Sequence, residues 1–309
     1  MKGLPLVQGP GPATIVLTDS GLGGLLICAE LERRLRGMPG EAAVRLVYVN
    51  AWPDARFGYN DLPDLEARAA VFDRALAAMA SFAPSAIVIA CNTLSVVYRA
   101  TAFHRAPAAP VTGILDAGVE LFFEALNRDK DAVLAVFGTR TTIGSGEHLR
   151  RLKARGIDPA RLAAEPCHGL AAAIDKDPGG ADVPRLIDEC ALRVLPRLPS
   201  GGTLYAGLAC THYAYVAEVF RGALARHSGA PVEILDPGER LVEELTAGLA
   251  ASAPAAGRRE VAVTVVSKVE LPESQRRAVA RRLEGLSPAT SRALLAYRHA
   301  PDLFRGEAP

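Results

Sequence analysis

Two cysteines occupy equivalent positions in the sequence, each directly after a short apolar run. The two segments that they open read Cys91-Asn92-Thr93 and Cys210-Thr211-His212. The runs before them, 86–90 and 203–209, have the composition of parallel strands that are buried on both faces. Ligands of open α/β sheets bind outside the carboxyl ends of the strands, so we expect both thiols to reach a ligand crevice. Thiols in that position could exchange protons with a substrate.

A helix is predicted to begin after each of these cysteines. A thiol at a helix N-terminus feels the positive end of the helix dipole, which lowers its pKa and raises the thiolate fraction. The alternative for any single cysteine is that it is a small buried apolar residue. Cys28 and Cys190 lie inside helical patterns and are interpreted in that way.

Further polar residues follow other predicted strands. Asp19 ends the first strand in Asp-Ser-Gly-Leu-Gly-Gly, where the glycines permit close backbone approach and Ser20 could bind a carboxylate. This turn lacks the third glycine of the dinucleotide pattern, so a Rossmann cofactor is not predicted. His212 is close enough to Cys210 to trade a proton with it or with a substrate. The turn 138–142 is either a helix cap or an anion cradle.

Composition limits the class of protein that these residues can serve. The chain has 309 residues and a net charge of +1, which argues against an obligate nucleic-acid binder. Half of the residues are hydrophobic, so the chain can build a sizeable core. Five cysteines without a C-x-x-C pair favour a reducing cytosol. The longest uncharged stretch, 75–98, is broken by polar residues and a proline and is not predicted to span a membrane.

Short β-branched runs alternate with helix-like segments along the chain, which predicts an α/β architecture with mainly parallel sheets. We expect two similar doubly wound lobes with the site in the cleft between them. The first lobe comprises 1–109, the second 110–235, and 236–309 returns to the first. The predicted strands cover 14–18, 44–49, 86–90, 111–115, 133–137, 203–209, 232–235 and 261–266. A basic helix is predicted over 273–286, and a loose tail over 1–12. Two stretches, 106–110 and 250–257, are rich in proline and alanine.

Four motifs, in this order along the chain, resemble those of the cofactor-independent amino-acid racemases, and among them the glutamate racemases. They are Asp19-Ser20-Gly21-Leu22-Gly23-Gly24, Ala90-Cys91-Asn92-Thr93, Gly138-Thr139-Arg140-Thr141-Thr142 and Cys210-Thr211-His212-Tyr213. The resemblance spans roughly residues 15–245. Its Asp-Ser-Gly opening is typical of the glutamate branch.

This resemblance implies a two-lobed enzyme that needs neither pyridoxal phosphate nor a metal. In this family one cysteine thiolate removes the α-proton and the other cysteine, as a thiol, reprotonates the opposite face. By motif position, Cys91 would act on D-glutamate with help from Asp19, and Cys210 on L-glutamate with help from His212. The substrate-binding residues that we expect on the same basis are Ser20, Gly58, Tyr59, Asn60, Asn92, Thr93, Thr142 and Thr211.

The resemblance also implies partners and a location. The partner would be a small acidic amino acid, with no nucleic acid and no membrane, and a homodimer stays open. D-Glutamate formation would supply peptidoglycan synthesis and cell-wall biogenesis, which implies a bacterial cytoplasm.

Three departures from the family pattern concern the expected site. Phe57-Gly58-Tyr59-Asn60 stands where the family has Pro-Tyr-Gly, which affects carboxylate binding. Asp175 is the best match for an acidic residue, Glu in the family, that helps the second cysteine, and whether its shorter side chain reaches stays open. Trp52 has no counterpart that the family explains.

Three alternatives remain open at this point. Two cysteines and a histidine could bind zinc in a metal-dependent hydrolase. The two lobes could instead close on an acidic amino acid without catalysis. Finally, a racemase or isomerase of the same superfamily could act on another acidic substrate.

Overall fold

Ten strands form in the part of the chain that the computed structural model describes, which comprises residues 12–39, 43–250, 257 and 259–304. The strands are β1 Ala13–Asp19, β2 Val44–Asn50, β3 Ala86–Ile89, β4 Val111–Gly113, β5 Val133–Gly138, β6 Leu162–Pro166, β7 Leu204–Ala209, β8 Val232–Leu235, β9 Val261–Ser267 and β10 Arg298–His299.

Helices connect these strands. They are α1 Leu25–Gly37, α2 Leu65–Ala80, α3 Asn92–Tyr98, α4 Ala102–Arg105, α5 Ile114–Arg128, α6 Arg140–Gly144, α7 Glu147–Ala154, α8 Leu170–Lys176, α9 Asp182–Val194, α10 Ala217–Ser228, α11 Pro237–Ala250, α12 Glu273–Leu283 and α13 Pro288–Leu295. Short 3₁₀ helices cover Tyr59–Asp61, Pro159–Arg161, Leu195–Arg197 and Thr211–Val216. None of the helices in the described ranges is long and apolar enough to cross a bilayer.

The strands pair in two parallel sheets. The order of the first sheet is β10-β9-β2-β1-β3-β4, and the order of the second is β6-β5-β7-β8. In each sheet the first strand in sequence, β1 or β5, has the next two strands on either side of it. This reversal of strand order creates a switch point at the carboxyl ends of β1 and β3, and another at those of β5 and β7. The predicted α/β fold with two parallel sheets is confirmed.

Both sheets are covered on two faces, which explains their continuous apolar runs. Ile15 and Leu17 pack on one face of β1, whereas Val16 packs on the other. Phe137 and Val136 separate in the same way in β5. Successive side chains of a strand point to opposite faces, so apolar residues are needed on both faces of such a strand.

Several boundaries differ from those expected. No strand was predicted at β6, because its sequence is rich in alanine and contains Glu165, whose carboxylate bonds to Arg193 and Arg197. The strand expected over 111–115 ends at residue 113, because α5 begins at residue 114, and the helix expected over 273–286 ends at 283.

The sheets divide after β4, since this strand pairs with β3 in the first sheet. The Pro/Ala-rich segment 106–110 is thus a loop that leads into β4, an edge strand of that sheet. The lobe boundaries 1–109, 110–235 and 236–309 stay a prediction. Of the expected tail 1–12, residues 1–11 lie outside the described residues, as do residues 251–256 of the second Pro/Ala-rich stretch.

Candidate active site

The two switch points face one cavity of about 190 Å³. Loops from both sheets form its walls, and both Cys91 and Cys210 line it. The other lining residues are Asp19, Ser20, Trp52, Asn60, Asp61, Asn92, Thr93, Thr139, Arg140, Cys167, His168, Gly169, Ala171, Ala172, Asp175, Thr211 and His212. The structure therefore brings together residues that are more than a hundred positions apart in the sequence.

Cys91 follows β3 and caps the N-terminus of α3. Its Sγ accepts a hydrogen bond from the Leu94 amide at 3.5 Å and lies 3.2 Å from Ser20 Oγ. Burial raises the pKa of Cys91, and the negative charge of Asp19 raises it further, against the lowering effect of these hydrogen bonds. The predicted lowering of the thiol pKa is wrong for Cys91, because the loss of water outweighs the helix terminus.

Cys210 follows β7 and precedes the 3₁₀ helix Thr211–Val216. The α-helix expected directly after it begins only at Ala217. The tight 3₁₀ turn folds His212 back toward the cysteine, and the Cys210 Sγ lies 3.6 Å from His212 Nδ1. A proton can pass between these two side chains without any intervening group.

His212 also contacts a carboxylate on its other ring nitrogen. Its Nε2 lies 2.9 Å from Asp175 Oδ1, in α8. Burial by itself lowers the pKa of His212, but the Asp175 carboxylate and the hydrogen bond with Cys210 raise it well above its usual value. These contacts therefore favour the protonated form of the imidazole. The shorter side chain of Asp175 reaches His212 because α8 lies close to the 3₁₀ helix that carries His212.

Asp19 links the loops of the two sheets. Its Oδ2 accepts a hydrogen bond of 2.7 Å from Thr211 Oγ1, whereas its Oδ1 is buried without a partner. Burial raises the pKa of Asp19 despite the lowering effects of His212 and Thr211. A buried carboxyl with a raised pKa can hold a proton near Cys91.

A glycine permits the approach of these loops. A Cβ on Gly23 would lie 2.8 Å from both the backbone nitrogen and Nδ1 of His212. Only a residue without a side chain fits there, which is the close backbone approach expected from the Asp-Ser-Gly-Leu-Gly-Gly turn.

We expect Thr211→Val to destabilise the protein by about 1–3 kcal/mol, because it leaves both oxygens of the buried Asp19 carboxyl without a partner. Urea unfolding would measure the change. Thr246→Val in α11 is a matched control, since the Thr246 hydroxyl bonds only to carbonyl groups of its own helix. The control should change the free energy of unfolding by less than about 0.5 kcal/mol. Equal losses in the two variants would contradict a special role for the bond between the sheets.

Polar side chains face the cavity on the Cys91 side. Both amide atoms of Asn92 are buried and unpartnered. Thr93 Oγ1 lies 2.9 Å from Thr139 Oγ1 and 3.1 Å from Thr142 Oγ1. Thr142 does not line the cavity but supports Thr93 from behind. Because a buried amide without a partner is costly, the Asn92 side chain is suited to bind a ligand.

The loop 57–61 contributes less than expected. Only Asn60 and Asp61 of this loop line the cavity. The Tyr59 ring instead packs edge-on against Phe72 in the core, with centroids 6.2 Å apart. Gly58 lies against Trp52, where a Cβ would come within 2.7 Å of the indole Cη2. Gly58 and Tyr59 thus support the wall without forming it.

Sequence reasoning missed part of this wall. The segment 167–172 follows β6, whose sequence does not predict a strand, so the sequence does not place these residues at the crevice. Trp52 follows β2, and its position after a predicted strand was the signal that could have found it. Cys28 and Cys190 are buried in α1 and α9, as predicted. Within the described ranges, no group of three or more His, Cys, Asp or Glu side chains is arranged to hold a metal ion.

Comparison with known proteins identifies the class to which this fold and cavity belong. The profile of the Asp/Glu/Hydantoin racemase family matches residues 22–245. A glutamate racemase of Pseudomonas putida is 31% identical over 245 residues, which are 77% of this chain and 82% of that protein. A glutamate racemase of Roseiflexus is 30% identical over 207 residues, which are 67% of this chain and 70% of that protein.

Solved structures share the fold. The crystal structure of a glutamate racemase isoform from Bacillus anthracis superposes with a TM-score of 0.68 at 22% identity, covering 89% of this chain and 95% of that one. The glutamate racemase of Francisella tularensis, solved with D-glutamate, gives 0.65 at 21% identity, with 88% and 94% covered.

The chain is an amino-acid racemase, which is an isomerase, and its α/β fold contains two parallel sheets. It belongs to the Asp/Glu/Hydantoin racemase family.

Proposed function

We propose that this protein interconverts L- and D-glutamate by proton transfer at the α-carbon, with Cys91 and Cys210 as the two acid/base groups. The observation that carries the proposal is that these cysteines line one cavity from the strand ends of separate sheets. Inversion of a stereocentre requires acid/base groups on opposite faces, and each must be able to give and to take a proton. The relatives named above are glutamate racemases, which supports glutamate as the substrate.

In the direction from D- to L-glutamate, the thiolate of Cys91 takes the α-proton and becomes a thiol. The thiol of Cys210 donates its proton to the opposite face of the α-carbon and becomes a thiolate. The reverse reaction starts from that second state. Overall, Cys91 has gained one proton and Cys210 has lost one, and no other group is consumed.

Charged neighbours support each half of this cycle. The protonated His212, 3.6 Å from Cys210 Sγ, stabilises the thiolate of Cys210 and can return a proton to it. On the other side, Asp19 can hold a proton for Cys91. Because burial raises the pKa of Cys91, its thiolate is a strong base once it forms.

The polar walls supply substrate contacts. Asn92, Ser20 and Thr211 line the cavity beside the cysteines, and Asn92 has free donors and acceptors. These groups would hold the α-carboxylate and the ammonium group, with Thr93 and Asn60 completing the wall.

The proposal extends to the setting of the reaction. The protein would work without pyridoxal phosphate or a metal, and in a bacterial cytoplasm its D-glutamate would supply peptidoglycan precursor synthesis. We also propose a homodimer, which light scattering after size-exclusion chromatography would test.

Solvent deuterium incorporation at the α-carbon tests the reaction itself. After dialysis against a chelator and without added cofactor, each enantiomer of glutamate should exchange its α-hydrogen and yield the other enantiomer on chiral chromatography. Binding of glutamate without exchange would contradict the proposal and favour a non-catalytic binding protein. Exchange restored only by added zinc would favour metal chemistry instead.

A further inference from the structure

We infer that Arg140, at the rim of the cavity, binds the side-chain carboxylate of the substrate and selects for an acidic amino acid. The inference rests on the proposed function and assigns a specificity residue to that site. Arg140 is the first residue of α6, directly after Thr139, and lines the cavity with an exposed side chain.

The carboxyl groups around the cavity favour a cation of this kind. Three carboxyl side chains line it, from Asp19, Asp61 and Asp175. His212 already faces Asp175 at 2.9 Å, so its charge is compensated. The exposed carboxylate of Asp61 would repel an anionic side chain of the substrate, and a positive group on the wall would offset this repulsion.

Arg140 is available for this role. It forms no ion pair with any residue that the structure describes, and its guanidinium is always charged. The planar guanidinium can donate two parallel hydrogen bonds to one carboxylate, a geometry that favours a carboxylate over a neutral amide.

Strand register places a second basic residue beside Arg140. Gly138 of β5 pairs with Pro166 of β6, and the Cys167 amide donates to the Gly138 carbonyl at 2.9 Å. Arg140 and His168 each follow by two residues, so they lie at the same end of adjacent strands. Both line the cavity at this rim.

The facing loop cannot replace this rim. The Gly58 amide already donates to Asp61 Oδ2 at 2.8 Å, and Asn60 Oδ1 accepts from the Thr141 amide at 3.2 Å. These bonds occupy polar groups of the loop 57–61 and leave the Asp61 carboxylate on the wall. The same bond from Thr141 holds the loop next to Arg140.

The test compares two ligands that differ only in the distal group, D-glutamate and D-glutamine. By calorimetry, Arg140→Gln should weaken D-glutamate binding about 10-fold, the effect of one charge-assisted bond at an exposed site. D-Glutamine binding should change less than about 3-fold. Arg140→Lys should retain part of the affinity for D-glutamate. The matched control is Arg281→Gln on the exposed side of α12, which should leave both affinities unchanged.

The outcomes distinguish a failure of the proposed racemisation from a failure of the role proposed for Arg140. A wild-type protein that binds D-glutamate but exchanges no α-hydrogen would overturn the proposed function, and the comparison of affinities would still test Arg140. Equal weakening of both ligands in Arg140→Gln, or no weakening of either, would overturn the role of Arg140. So would a wild-type protein that binds D-glutamine at least as tightly as D-glutamate.

Discussion

Replacing either Cys91 or Cys210 with serine is expected to lower kcat for glutamate racemisation by about 1,000-fold or more, the scale of a lost general acid/base. A serine hydroxyl is a far weaker acid than a thiol and cannot supply the anion that removes the α-proton. Because the proposed mechanism needs both groups in either direction, each single variant should lose both directions. Circular dichroism would follow the interconversion of the enantiomers.

Binding separates this chemical loss from a loss of structure. Calorimetry should give D-glutamate affinities within a few-fold of wild type for both serine variants. Cys190→Ala in α9 is the control, since Cys190 is buried and does not line the cavity. Full racemase activity in both serine variants would contradict the two-cysteine mechanism.

Asp175→Asn is expected to lower kcat about 100-fold, because it removes the carboxylate that keeps His212 protonated beside Cys210. In wild type the raised pKa of His212 preserves the imidazolium to a pH above its usual titration range. Without Asp175 the pKa of His212 falls, so the proton is lost at lower pH. The alkaline limb of the kcat/KM profile should therefore move to lower pH.

The same shift predicts a change in stability with pH. A histidine whose folded pKa is raised contributes stability that is fully present below its unfolded pKa, about 6.5, and is lost as pH rises through the folded pKa. This contribution should disappear in Asp175→Asn. Asp182→Asn, at the exposed start of α9, is the control and should leave both the pH dependence of stability and the kcat/KM profile unchanged. An unshifted alkaline limb in Asp175→Asn would contradict the assigned role.

Much of the fold could be predicted because its signals are local. Buried parallel strands need apolar side chains on both faces, so runs such as 133–137 are visible in the sequence. The strand β6 lacks that signal because it contains Glu165. The charge of this buried side chain is compensated by Arg193 and Arg197, which come much later in the chain. An alanine-rich strand with a buried charge does not resemble a strand until its ion-pair partners are known.

The candidate site divides in the same way. The positions of Cys91 and Cys210 after strands follow from the sequence alone, because the carboxyl end of a parallel strand is where an α/β sheet opens. The orientation of the Tyr59 ring toward Phe72 does not follow from the sequence, because the same residues would equally allow the ring to face the cavity.

By itself, the sequence determined the two-sheet architecture and the residues that follow its strands, since periodicity and turn chemistry act between near neighbours. Only the tertiary structure decided the charges at the site. The pKa of Cys91 is raised although a helix follows it, and that of His212 is raised although it is buried. Desolvation and Coulomb energies depend on groups that are close in space, and Asp19 and Thr211, which share a hydrogen bond, are 192 residues apart in the chain.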